Sequence, residues 1–297
     1  VALPLVYSTL TISYGNMGDV LRLIRKGRTS DEPGDGKLVS NAQLILEGGY
    51  FGLVRNVHIT VRHLVDPTYG LDVVMDECAR ISSCWPGIRS LTVLLASTDM
   101  GDGLEDPGTA KLVEKCTGIV ARLVDTFPGI TDLQLEGLHS SDTVCSIYGR
   151  IAERYAAQAR RLLCRRPVIN CERDIFARLE MLEFGFDEDQ HRLPPQLNVE
   201  QLQQLRIYGV PYDYDWRSFG RASEQGTLVF PNLARLAISY DRPWASGQRV
   251  DQKAPPATMR GVKLVFPRIE TLELRPGSGD YPILGYSAFP SGIRRMS

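Results

Sequence analysis

Four segments of this chain share an aromatic residue, a proline, one spacer and an apolar residue: Trp85-Pro86-Gly87-Ile88, Phe127-Pro128-Gly129-Ile130, Phe230-Pro231-Asn232-Leu233 and Phe266-Pro267-Arg268-Ile269. Each opens the same apolar-x-x-apolar-x-apolar comb, filled by Ile88, Leu91 and Val93, by Ile130, Leu133 and Leu135, by Leu233, Leu236 and Ile238, and by Ile269, Leu272 and Leu274. The spacing recurs at Val54, Val57 and Ile59, at Leu179, Leu182 and Phe184, and at Leu202, Leu205 and Ile207. Self-similarity on this scale constrains the fold more than any single element, because each unit must stack on its neighbours to bury its apolar side.

The last two apolar positions of a comb lie two residues apart and so share one face of a short strand, while the residues between them face solvent. The first apolar position turns inward where the chain enters the strand. Proline disfavours helix in the residue before it and so ends the preceding crossover, and the aromatic ring can plug the core edge. Between combs the apolar period becomes helical. Leu71, Val74, Met75, Cys78 and Ile81 form one stripe, and Leu112, Val113, Cys116, Val120, Leu123 and Val124 form another. The longest predicted helix runs from Asp142 to Cys164, with Val144, Ile147, Ile151, Tyr155, Ala159 and Leu162 inward and Ser140, Ser141 or Asp142 as N-cap. Strand, helix and parallel strand therefore alternate in the first half, as in right-handed crossover units.

The second half carries Pro194-Pro195, Pro211, Pro243 and Pro255-Pro256, which leave little room for helices, so loops are expected there. The pattern predicts helix-rich crossovers over 1–170 and loop-rich ones over 171–297 of a single domain. Comb starts lie between 23 and 49 residues apart, which implies a curved but irregular stack. Phe289-Pro290-Ser291-Gly292-Ile293 restarts the signature at the C-terminal end, and the chain opens without Met, so both ends are expected to be cut.

A 43% hydrophobic content suffices for a core, and the formal net charge of −1 supplies no field to gather nucleic acid or an anionic membrane. No apolar run spans a bilayer, and the first residues lack the features of a signal peptide. The six cysteines show no C-x-x-C spacing; they fit a cytoplasmic or nuclear protein, with Cys78, Cys116 and Cys145 as small buried hydrophobes.

These combs, with the opening Val1 to Leu10 stretch and a first crossover helix at Met17, Val20, Leu21 and Ile24 ended by Gly27, resemble the leucine-rich-repeat region of F-box proteins of the fungal type. The resemblance covers nearly the whole chain at the level of architecture. It implies an α/β fold, an irregular horseshoe-like leucine-rich-repeat solenoid with parallel strands on the concave face and helices or loops on the convex face. It further implies a protein-binding substrate receptor for a ubiquitin ligase, whose adaptor would dock on an F-box absent from these residues. Related repeats often carry Asn or Cys three residues past the last strand position. Here Arg62, Ala96, Leu138, Asp187, Val210, Asp241 and Gly277 stand there, so no asparagine ladder is present.

No motif for metal, nucleotide or acyl-transfer chemistry is found, and no enzyme activity, metal or cofactor is expected. His58, His63, His139 and His191 form no ligand set, and the acidic stretches Asp99–Asp106 and Asp187–Asp189 lack EF-hand spacing. Arg160-Arg161 and Arg165-Arg166 are expected as a solvated helix end. The concave face supplies the binding candidates: His58, Thr92, Gln134, Glu183, Arg206, Ala237 and Glu273 at the middle strand position, then Thr60, Leu94, Glu136, Gly185, Tyr208, Ser239 and Arg275 two residues on. A second candidate is the loop edge Tyr212, Tyr214 and Trp216, which suits either an interface or a cover over the sheet edge. Two alternatives stand beside the receptor reading. One is a free-standing repeat scaffold without a ubiquitin link; the other is a hydrolase using Asp or His, which requires a pocket joining them.

Overall fold

The computed structural model describes residues 7–15, 37–62, 67–82, 84–96, 109–137, 142–165, 178–185, 200–210, 227–240, 263–275 and 295–296. The chain divides into two compact units, Val1–Tyr155 and Ala156–Ser297. Both are built on a mostly parallel sheet. No helix among the described residues is long and apolar enough to cross a membrane.

In the first unit the strands are β1 (Thr9–Gly15), β2 (Lys37–Ser40), β3 (Asn56–Arg62), β4 (Ser90–Ala96) and β5 (Asp132–Gly137), in the order β5-β4-β3-β1-β2. Only β2 runs antiparallel, against β1, at the sheet edge. The helices α1 (Ala42–Glu47), α2 (Pro67–Ile81), α3 (Thr109–Thr126) and α4 (Asp142–Tyr155) connect them. Most of the predicted stripes face inward: Leu71, Val74, Met75 and Cys78 of α2 are buried, as are Cys116, Val120 and Leu123 of α3 and Val144, Ile147 and Ile151 of α4, whereas Ile81 and Val124 at the helix ends are only half-buried.

The second unit contains β6 (Arg161–Arg165), β7 (Met181–Gly185), β8 (Gln204–Val210), β9 (Thr227–Val229), β10 (Arg235–Tyr240), β11 (Lys263–Val265), β12 (Thr271–Arg275) and β13 (Arg295–Met296). Its main sheet has the parallel order β6-β7-β8-β10-β12-β13. β9 and β11 form a separate two-stranded parallel ladder. No helix occurs here among the described residues. Where loops alone were expected, β9 and β11 each end directly in an aromatic-proline pair, and Phe230 stacks on Phe266 with ring centroids 5.2 Å apart.

The combs are strands, and every comb residue whose burial is described lies in the core. The aromatic plugs Trp85, Phe127, Phe230 and Phe266 are buried as well. Phe51 stands at the same distance before Val54 and packs on Trp85 at 4.4 Å, so the aromatic position persists without its proline.

One set of main-chain bonds recurs at the strand starts. In the first unit the Ser8 carbonyl accepts the N–H groups of Arg55 and Asn56, Arg55 those of Arg89 and Ser90, and Arg89 those of Thr131 and Asp132, all between 2.7 and 3.1 Å. In the second unit the carbonyls of Arg160, Glu180, Gln203 and Ala234 do the same for the next strand. Side chains reinforce these lead-in turns: Arg89 Nη1 donates to Gly129 O at 3.1 Å, Asn232 Nδ2 to Glu200 O at 2.7 Å, and Arg268 Nη1 to Asn232 Oδ1 at 3.0 Å. The stabilising polar contacts thus precede the strands, where the missing asparagine ladder would have followed them.

Two expectations need correction. The helix predicted to reach Cys164 stops at Tyr155, and Arg161–Arg165 is a strand. Ala159, Leu162 and Cys164 have comb spacing themselves and are buried, so the same residues satisfied a helical stripe by coincidence. The basic group at Arg160 and Arg161 accordingly lies at a strand start rather than a helix end. The first crossover helix at Met17–Gly27, Ser140, Ser141 and the Phe289 segment up to Arg294 lie outside the described residues.

Two glycines are demanded by backbone geometry. Gly15, with φ at 141°, ends β1 where an added Cβ would stand 2.4 Å from the Arg62 carbonyl oxygen. Gly209, with φ at 65°, carries the register shift between β8 and β10.

Helix α4 is tied to the sheet by one phenol. The fully buried Tyr148 hydroxyl accepts the Leu95 N–H at 2.9 Å and lies within donating distance of Glu136 O and Val93 O. Leu95 pairs with Gly137, the last residue of β5, so the phenol takes over where the ladder runs out. Tyr148→Phe leaves that buried N–H unsatisfied, and we expect a loss of about 1–3 kcal/mol in urea unfolding with the fold unchanged by circular dichroism. A variant as stable as the wild type refutes the clamp.

Candidate functional site

Strand pairing determines which side chains share a row. In the first unit Thr11, His58, Thr92 and Gln134 align, followed by Ser13, Thr60, Leu94 and Glu136. In the second unit Leu163, Glu183, Arg206, Ala237 and Glu273 align, and beyond them Gly185 pairs with Tyr208 and Ser239 with Arg275. The candidate residues on the middle positions therefore fall into two in-register arrays, one in each unit.

Parallel strands are normally covered on both faces and read as continuous apolar runs. Here β1 and β3 alternate between buried and accessible residues, so along these strands one face is apolar and covered while the other is polar and reaches the surface; β4 and β7 are buried over most of their length on both faces. Thr11 and His58 are exposed, and Gln134, Glu136, Thr60, Arg206, Tyr208 and Glu273 are half-buried. Gln134 Nε2 donates to Glu136 Oε1, fixing that pair along β5.

Three candidates expected on the surface, Thr92, Glu183 and Gly185, are covered. Thr92, 9% exposed, lies between the longer His58 and Gln134 in its row, and its hydroxyl is buried without a hydrogen-bond partner among the described residues. Glu183 is 2% exposed; Arg206 Nη1 donates to its Oε2 at 3.5 Å and the Tyr208 hydroxyl to its Oε1 at 3.2 Å. A carboxylate withdrawn from water in this way needs its donors, so Arg206 and Tyr208 are held in place by Glu183 while remaining partly accessible. Glu183 is a positioning group here rather than a contact residue. Arg275 belongs to β12, but its side chain lies outside the described residues, as do Tyr212, Tyr214 and Trp216 of the loop edge, both acidic stretches, and His63, His139 and His191.

Thr11, Ser13 and Leu163 belong to these arrays although the combs of their strands went unnoticed. The alternation from Leu10 to Tyr14 was a legible signal for the first two. Leu163 was concealed by the helical reading of its segment.

Among the described residues no group of three or more His, Cys, Asp or Glu side chains could hold a metal ion. The row neighbours of His58 are Thr11 and Thr92, neither of which can orient it as a carboxylate would. The thiols of Cys78, Cys116, Cys145 and Cys164 are buried, and Cys84 is partly accessible. Burial, aided by the Glu77 carboxylate, pushes the Cys78 thiol up to about 12 from its ordinary 9.0. Burial beside Asp125 likewise drives the Tyr155 phenol far above its usual range.

An unfolded Cys78 releases its proton near 9.0 while the folded one keeps it, so this group's contribution is intact below that pH and is lost as pH rises towards about 12. We expect iodoacetamide at pH 8 to alkylate Cys84 well ahead of Cys78 in peptide mass maps. Cys78→Val should flatten the decline of unfolding free energy between pH 9 and 11. Equal alkylation rates at the two cysteines contradict the burial argument.

Comparison with known proteins finds no matching family model, no matching curated protein and no matching solved structure.

Proposed function

We propose that the chain is a leucine-rich-repeat-type solenoid that binds another protein through the polar face of its sheet, and that it serves as the substrate-recognition part of an F-box-type ubiquitin ligase receptor. One observation carries the binding reading: in each unit the second face of the parallel strands brings accessible hydrogen-bonding side chains into register, Thr11, His58 and Gln134 in one row and Arg206 and Glu273 in another. Polar residues at alternate positions of successive strands put donors and acceptors into common rows within each unit, interrupted at Leu94, Leu163 and Ala237. The recurring carbonyl bonds at the strand starts and the equivalent aromatic plugs support the solenoid reading. The ligase link rests on the resemblance in the combs and the opening segment.

The test is affinity capture from cells expressing the full-length gene product, with captured proteins quantified by mass spectrometry. Thr60→Arg with Gln134→Arg crowds the face with charge, and Glu114→Lys on the exposed surface of α3 serves as control. We expect the target to be depleted at least about tenfold by the double substitution and unaffected by the control. Equal recovery with all three proteins refutes recognition by this face. Co-capture of a cullin-RING ligase adaptor supports the receptor role. Its absence, with the target retained, favours a free-standing scaffold.

A further inference from the structure

Two cations stand apart from these rows, at the lead-in edge of the first unit. Arg55 and Arg89 occupy equivalent places one strand apart, with the Arg89 N–H bonded to Arg55 O at 2.7 Å. Main-chain carbonyls hold each guanidinium by one nitrogen. Arg55 Nη1 donates to Gly52 O and Val54 O, both at 2.9 Å, and Arg89 Nη1 to Gly129 O at 3.1 Å. The glycines are part of the arrangement: a Cβ at Gly87 would stand 3.0 Å from Arg55 Nη1, and one at Gly129 2.1 Å from Arg89 Nη1.

Both arginines are exposed, and neither has a carboxylate within ion-pair distance among the described residues. Four other arginines are paired, Arg80 with Glu77, Arg122 with Asp72 and Asp76, Arg160 with Glu180 and Arg206 with Glu183, whereas Arg268, like Arg55 and Arg89, is held at a lead-in turn by an uncharged acceptor, Asn232. Fixing one nitrogen on the backbone removes rotamer freedom before any partner arrives and leaves the other guanidinium nitrogens available as donors. Neighbouring strands lie roughly 4.8 Å apart, so two such groups can be bridged by one carboxylate or can meet two on the same segment.

We propose that this edge binds an acidic protein segment, with carboxylates engaging Arg55 and Arg89 together. The exposed Leu53, 44% accessible, and the exposed Pro86 and Pro128 lie in the same turns and suit the apolar parts of a peptide. Nucleic acid would need a wider positive field than two cations on a chain of net charge −1. This surface is distinct from the strand rows and does not depend on them.

The test is fluorescence anisotropy with a labelled hexaglutamate peptide and the whole chain at low salt. We expect saturable binding that weakens with added salt and falls at least about tenfold in Arg55→Gln with Arg89→Gln, which keeps a side-chain donor but removes the charge. The corresponding Lys pair, which keeps the charge but loses the backbone-anchored fork, should bind more weakly than the wild type and more tightly than the Gln pair. Leu53→Glu, which supplies an internal carboxylate without touching either arginine, should weaken it too. Thr60→Arg with Gln134→Arg should leave it no weaker. No binding by the wild type, undiminished binding by a folded Gln pair, or tighter binding of labelled polyuridine RNA than of the peptide overturns the proposal.

Discussion

Register is the constraint on which the remaining structure depends. A strand slipped by one residue would turn its apolar set to water and its polar set into the core. Three apolar positions per comb oppose such a slip. The carbonyl that receives two N–H groups from the following strand start opposes it again, because only one alignment brings both donors to it. Hydrophobic burial and hydrogen bonding therefore select the same pairing, which is the internal agreement expected of a sequence with one preferred fold.

From that register follow the two surface features of interest. Side chains at alternate strand positions are delivered to common rows, so residues tens of positions apart in sequence, such as His58 and Gln134, stand in one array. The lead-in turns are stacked by the same pairing, and that stacking brings Arg55 beside Gly87 and Arg89 beside Gly129. The accessible strand face and the cationic edge are thus consequences of one alignment.

Much of this was legible in the residues. The combs, the aromatic plugs and the buried stripes of α2 and α3 all follow from periodicity, which responds directly to burial. Three strands were harder to see. β6 was read as helix because Tyr155, Ala159 and Leu162 fit a period near 3.6 as well as a comb fits its own spacing, and nothing local decides between them. β9 and β11 are three residues long, too short for any period to register. Their stability comes from pairing with each other and from the Phe230–Phe266 stack.

Alternation by itself determined which side of each strand would be apolar and which polar, since side-chain direction is a property of the extended chain. Accessibility was another matter. Thr92 and Glu183 have the parity of surface residues, yet the first is buried in its row between His58 and Gln134 and the second is enclosed by Arg206 and Tyr208 from the next strand. Exposure depends on the size and reach of residues brought alongside by pairing. Only the tertiary structure chooses those neighbours, because they come from strands distant in the chain.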